Sequence, residues 1–136
     1  MQSNKELRKM LEEAWVNVVA ACIVDAGRKG SLGSVIKSRG KKEALDWMEH
    51  RLEFSKHECS VPRVIQKFAN HLSLQAPELP LEDIEFLREH EEEALDVLRE
   101  MPKLIILKAA QNAGLLKSNS PKNKTAKLTD FIGGGQ

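Results

Sequence analysis

Apolar residues recur along this chain at helical spacing. They fall first at Leu7, Met10, Leu11, Ala14, Trp15, Val18, Val19 and Cys22, the i, i+3, i+4 repeat of an amphipathic helix. Ser3 and Glu6 have the spacing of a capping box at its start. The second half of this segment is apolar nearly all round, through Val16, Ala20, Ala21, Ile23 and Val24. Such a helix is either central to the fold or shared with another copy of the chain, so a homo-oligomer through the first helix is one expectation. Gly27 is a natural place for the helix to stop.

Residues 30–40 read as a basic loop holding at most a short helix around Val35 and Ile36. A second long helix is expected from about Lys41 to Lys56, with Leu45, Met48 and Leu52 on one face and Trp47 and Phe54 to one side. Ser60 can cap the next helix, whose first turn tolerates Pro62. Its apolar stripe is Val61, Val64, Ile65, Phe68, Ala69 and Leu72. Ala76 to Pro80, with two prolines, is a linker or sharp turn. Leu81, Ile84, Leu87, Ala94, Leu95 and Leu98 predict helix again, with Glu91 interrupting the stripe, and Pro102 ends or kinks it. A last helix is predicted over Lys103 to Leu116. No alternating segment competes anywhere. The expected fold is all-α: a single small bundle of five or six helices over residues 1–116, followed by a flexible tail over 117–136.

Composition adds bounds to this pattern. The chain has 136 residues, enough for one domain and not two. Aromatics are only 4% of it, with no Tyr, so the core must be aliphatic, which favours helix over sheet. Cys22 and Cys59 do not make a disulfide framework. The first residues lack the apolar stretch of a signal peptide, and the richest apolar run, Ala14 to Val24, is too short to span a bilayer. A cytoplasmic (or nuclear) protein away from membranes is the expectation.

Charge is segregated behind a net value of +1. Between Ala26 and Lys42 stand Arg28, Lys29, Lys37, Arg39, Lys41 and Lys42, with no acid among them. Between Glu78 and Glu100 there are ten acids and two arginines. The basic set, with Ser31, Ser34, Ser38 and several glycines, has the chemistry of a phosphate-backbone contact: cations neutralise, hydroxyls and amides position. It contains no aromatic, so it does not by itself suggest a stacking platform. The helices flanking His57 to Ser60 also admit a helix-turn-helix reading, with Arg63, Gln66 and Lys67 on a recognition helix. The run His57-Glu58-Cys59 matches no structural zinc spacing, and no phosphate loop or nucleophile signature is present. No cofactor or metal is expected, and the chain reads as a non-enzyme.

The final segment leaves the helical pattern. After a polar, basic stretch it gathers Leu128, Phe131 and Ile132 just before three glycines. One short helical turn would put these three, spaced i, i+3, i+4, on one side as a hydrophobic plug. Residues Thr125 to Ile132 resemble the PIP box, the peptide that docks on PCNA-type sliding clamps. In that likeness Leu128 falls on the aliphatic position and Phe131 on the first aromatic. Ile132 falls on the second aromatic, and Thr125 stands where the family has Gln. The resemblance implies a helical adaptor in DNA replication or repair, tethered to a clamp through Thr125, Leu128, Phe131 and Ile132. The alternative is a small nucleic-acid-binding subunit or regulator working through the basic segment.

Overall fold

The computed structural model describes residues 4–116, with side chains from residue 5 on. Ser3 of the capping box and the whole segment 117–136, with its Leu128–Ile132 cluster, lie outside the described residues. The described chain forms seven helices: α1 (Asn4–Arg28), α2 (Leu32–Arg39), α3 (Lys41–Ser55), α4 (Val61–His71), α5 (Leu81–Glu89), α6 (Glu91–Glu100) and α7 (Pro102–Asn112). The all-α expectation holds, with seven helices where five or six were expected.

The extra helices have physical causes. The stripe from Leu81 to Leu98 is two helices, because it fails at position 91. Glu91 turns its carboxylate across to α4 and accepts a 2.8 Å hydrogen bond from the Val61 amide. The chain bends at His90 (φ −121°, ψ 46°). Acids in the first turn of each new helix, Glu82 and Asp83 in α5 and Glu91, Glu92 and Glu93 in α6, suit the positive end of the helix dipole. The supposed loop of residues 30–40 holds a helix of eight residues, α2. It is stabilised by burial of Leu32 and half-burial of Val35 and Ile36.

Helix α1 is the axis of the bundle. It packs against α2, α5, α6 and α7, while α3 packs against α2, α4 and α7. Most of the apolar girdle of α1 is therefore covered within one chain, with Met10 and Val24 left exposed. Leu11, Trp15, Val18, Val19, Cys22, Ile23 and Ala26 are all buried. A large apolar side chain taken fully out of water contributes about 1.5–3 kcal/mol, so this helix carries much of the core. It does not stop at Gly27 but runs one residue further. Two polar anchors fix its neighbours. The Trp15 indole donates to the Ala94 carbonyl at 2.8 Å, and the buried Asp25 carboxylate accepts from the Glu78 amide at 2.9 Å. Ser60 caps α4 as expected, accepting from the Arg63 amide at 3.3 Å, with Pro62 in the first turn. Met101 precedes Pro102, a position disfavoured in helix, and α6 gives way to α7 there. No helix among the described residues is long and apolar enough to cross a membrane.

Candidate nucleic-acid interface

The basic segment is built on a turn that leaves little room. The chain leaves α1 through Arg28 and Lys29 and passes Gly30 so close to α4 that a Cβ there would stand 2.4 Å from the Leu72 carbonyl oxygen. The Ser31 amide and hydroxyl both donate to that same oxygen, at 3.1 and 3.3 Å. Leu32 then inserts into the core and α2 begins. Gly40, at φ +90°, reverses the chain into α3, a conformation that L side chains rarely adopt. Its amide closes α2 on Ile36 and its carbonyl opens α3 through the Ala44 amide.

Arg28, Lys29, Lys37, Arg39, Lys41 and Lys42 consequently lie at one end of the bundle, where α1 stops, α2 packs on α3, and α3 starts. All six are exposed. None makes an ion pair among the described residues, whereas Arg8, Lys56, Arg63, Lys67 and Lys108 each meet a glutamate. Lys37 and Arg39 sit in the last turn of α2, where the helix dipole favours cations. Lys41 and Lys42 sit at the opposite kind of end. They open α3, whose N-terminus receives no side-chain cap, so free amides and two ammonium groups share one surface. The dipole disfavours cations there by about 0.3–1 kcal/mol each.

Other parts of the sequence reading are redirected. The serines serve the fold: Ser31 bonds to Leu72, and the Ser38 hydroxyl donates back to Ser34 at 2.9 Å. Of the glycines, Gly30 is used up by α4, while Gly40 faces open space. The recognition-helix alternative loses its free cations. Lys67 bonds Glu58 at 3.1 Å and Arg63 lies 3.9 Å from the same carboxylate. The start of α4 also borders an acidic groove of about 640 Å³ lined by Ser60, Pro62, Glu85, Arg88, Glu89 and Glu91, a poor neighbour for phosphate. Cys59 is exposed and Cys22 buried. Burial, with Asp25 nearby, pushes the Cys22 thiol up to about 12, so it is inert at neutral pH. No group of three or more His, Cys, Asp and Glu side chains among the described residues could hold a metal ion.

The structure adds residues that the sequence reading left out. Arg51 of α3 lies over the Trp47 ring, 3.9 Å from its centroid, and its Nη1 donates to the Trp47 carbonyl at 3.1 Å. It meets no carboxylate among the described residues, and its Nε, shielded from solvent, has no hydrogen-bond partner. Burial first and Arg39 second push this guanidinium below the usual arginine range. Arg39 thus adds a like charge to the surroundings of Arg51. One turn on, Phe54 is 63% exposed, with His71 of α4 beside it at 6.2 Å between ring centroids. The spacing 47, 51, 54 is visible in the sequence as i, i+4, i+7. What hid it was the end of the cationic run at Lys42. The tail residues Thr125, Leu128, Phe131 and Ile132 lie outside the described residues.

No family model matches this chain, and no curated protein and no solved structure matches it.

Proposed function

We propose that the protein is a non-enzymatic helical accessory module that binds nucleic acid through the end of the bundle formed by Arg28, Lys29, Lys37, Arg39, Lys41 and Lys42. The observation that carries this reading is the placement of Lys41 and Lys42 at an uncapped helix N-terminus beside four more cations without ion pairs. Internal electrostatics disfavour that arrangement. A phosphate backbone would reverse the balance, because it supplies anions to the ammonium groups and acceptors to the free amides. The test is the salt dependence of binding to labelled oligonucleotides. Affinity should fall steeply as salt rises, and reversing Lys41 and Lys42 to Glu should weaken binding alike for all sequences and flatten the salt slope by about 2. Absence of binding at low salt removes the reading.

The residue pattern of 125–132 supports a second contact, with a protein. In this reading Leu128, Phe131 and Ile132 dock on a partner of the sliding-clamp kind and recruit the module to DNA. Deleting 117–136 should then abolish clamp capture while oligonucleotide binding survives. A peptide spanning Lys122 to Gln136 that shows no affinity for a clamp from the native host removes it.

A further inference from the structure

The end of the bundle that carries the free cations continues along one flank of α3, and that continuation is not merely basic. Trp47, Arg51 and Phe54 follow one another on this flank, about 10 Å from first to last along the helix axis. Arg51 is stacked on Trp47 at 3.9 Å and held there by the Trp47 carbonyl, so its plane is preset. Phe54 offers a ring that is 63% exposed, in a protein whose other described aromatics are buried or half-buried.

A guanidinium stacked on a ring, with a shielded Nε that has no partner, a like charge nearby and no carboxylate, calls for an explanation. Structural arginines in this same molecule are satisfied otherwise. Arg8 meets Glu100, and Arg99 donates to the Lys56 and Glu58 carbonyls at 3.1 Å each. Arg51 makes no ion pair among the described residues, and the Phe54 ring one turn on is open to solvent. A duplex presents its phosphates but keeps its bases stacked inside. A single strand presents phosphate and base faces at once, and aromatic rings in a cationic groove are the usual means of holding both.

We propose that the flank Arg39–Trp47–Arg51–Phe54 is a single-strand binding site, with the backbone phosphate at the two guanidinium groups and a base stacked on Phe54. This proposal rests on the basic-end reading above and names its ligand class. One acid stands on the flank itself, and Asp46, Glu49 and Glu53 occupy the other faces of α3. Glu43 is exposed on the same flank, one turn before Trp47, and opposes a phosphate there, so Glu43→Gln should tighten strand binding. Arg39, Lys41 and Lys42 lie toward the start of the flank and His71 toward its end.

The experiment compares a labelled oligothymidylate strand with a duplex of equal length, using the full chain at one fixed low salt concentration. Anisotropy and tryptophan emission are read together. Trp15 is 1% exposed, so quenching by the strand reports Trp47. The strand should bind at least about tenfold more tightly than the duplex. Phe54→Ala and Arg51→Gln should each weaken strand binding about tenfold while leaving duplex binding unchanged. Phe54 is too exposed for its loss to unfold the domain, and Arg51→Lys, which keeps charge but loses the stacked plane, should fall between parent and Arg51→Gln.

Equal affinity for strand and duplex overturns the proposal, as does unaltered strand binding by Phe54→Ala. Competition by polyglutamate or inorganic phosphate as effective as that by unlabelled strand also overturns it, since either would make this a general anion site. The two readings fail separately. If the Lys41/Lys42 reversal weakens both probes and Phe54→Ala weakens neither, the basic end stands and the strand site falls. If neither probe binds, both fall.

Discussion

Two glycines three residues apart should respond to alanine with opposite signs. At Gly30 the new methyl would stand 2.4 Å from the Leu72 carbonyl oxygen, 3.1 Å from the Ala26 Cα and 3.3 Å from the Leu74 Cδ2. Ordinary carbon–oxygen contacts begin at about 3.3 Å, so the end of α4 and the turn must part by close to 1 Å. The oxygen that must retreat also accepts from the Ser31 amide and hydroxyl. Overpacking of this kind costs about 1–3 kcal/mol, and loosening those bonds adds about 1 kcal/mol. The reduced entropy of the unfolded chain returns about 0.4–1 kcal/mol. The net loss is about 1–3 kcal/mol, a fall in Tm of about 4–12 °C for a domain of this size.

At Gly27 a Cβ meets nothing within 4 Å, and the residue lies inside α1. Alanine there should raise Tm by about 2–4 °C. The assay is thermal unfolding followed by circular dichroism, with oligonucleotide binding measured on the same samples. Gly30→Ala should also weaken binding, because α2 carries Lys37 and Arg39 from that turn, while Gly27→Ala should not. A Gly30→Ala protein that melts at or above the parent would refute the reasoning, since the turn would then not be held against α4.

Other outcomes follow from the same packing. Val19 is 2% exposed in the centre of α1, and Val19→Asp should cost about 3 kcal/mol or more; a cooperative melt near that of the parent would show α1 not to be the core. A thiol reagent at neutral pH should label Cys59 and spare Cys22 until the protein unfolds. The raised Cys22 pKa also has a sign in stability: the thiol stays protonated in the fold while the unfolded chain ionises, so stability falls as pH rises from about 9 toward 12, checked by denaturant midpoints on Cys22→Ala against parent. Arg51→Gln should alter stability by less than about 1 kcal/mol, because it loses one cation–π contact near the surface and no ion pair among the described residues; a large fall in Tm would mean that Arg51 is structural.

What the sequence shows and what it hides can be traced residue by residue. Helix type was legible because the stripes of α1 and α4 are long and periodic, and Ser60 and Pro62 mark a start by their own chemistry. Helix number was not, because α2 has only eight residues and is secured by Leu32 reaching into a core assembled from distant segments. The break at His90 was signalled by Glu91, yet the hydrogen bond to Val61 that explains it spans 30 residues. The six cations were legible as a composition. Their lack of partners was not, since pairing is a property of the folded surface: Lys67 and Lys42 look alike in sequence, and only Lys67 has a glutamate waiting.

That difference in partners also separates the two charged blocks. The acids of α5 and α6 have an internal reason to be where they are. Glu82, Asp83 and Glu91–Glu93 stand in first turns, where the helix dipole favours them, and Glu91 satisfies the orphan Val61 amide. Stability alone could have selected these positions. The basic end gives the opposite result. Lys41 and Lys42 oppose the dipole of α3, which Glu43 in the same turn suits, and Arg51 is stacked on Trp47 without an ion pair among the described residues. The two lysines subtract from the folding free energy of a domain whose total margin is about 5–15 kcal/mol. Two cations set against a helix dipole, near a stacked arginine without an ion pair, point to selection for something outside the fold. Anions are the ligand that would turn each of those losses into a gain. Replacing Lys41 and Lys42 with Glu should therefore raise Tm in the free protein while lowering oligonucleotide affinity. A double variant that loses both stability and binding would instead place the lysines among the supports of the fold.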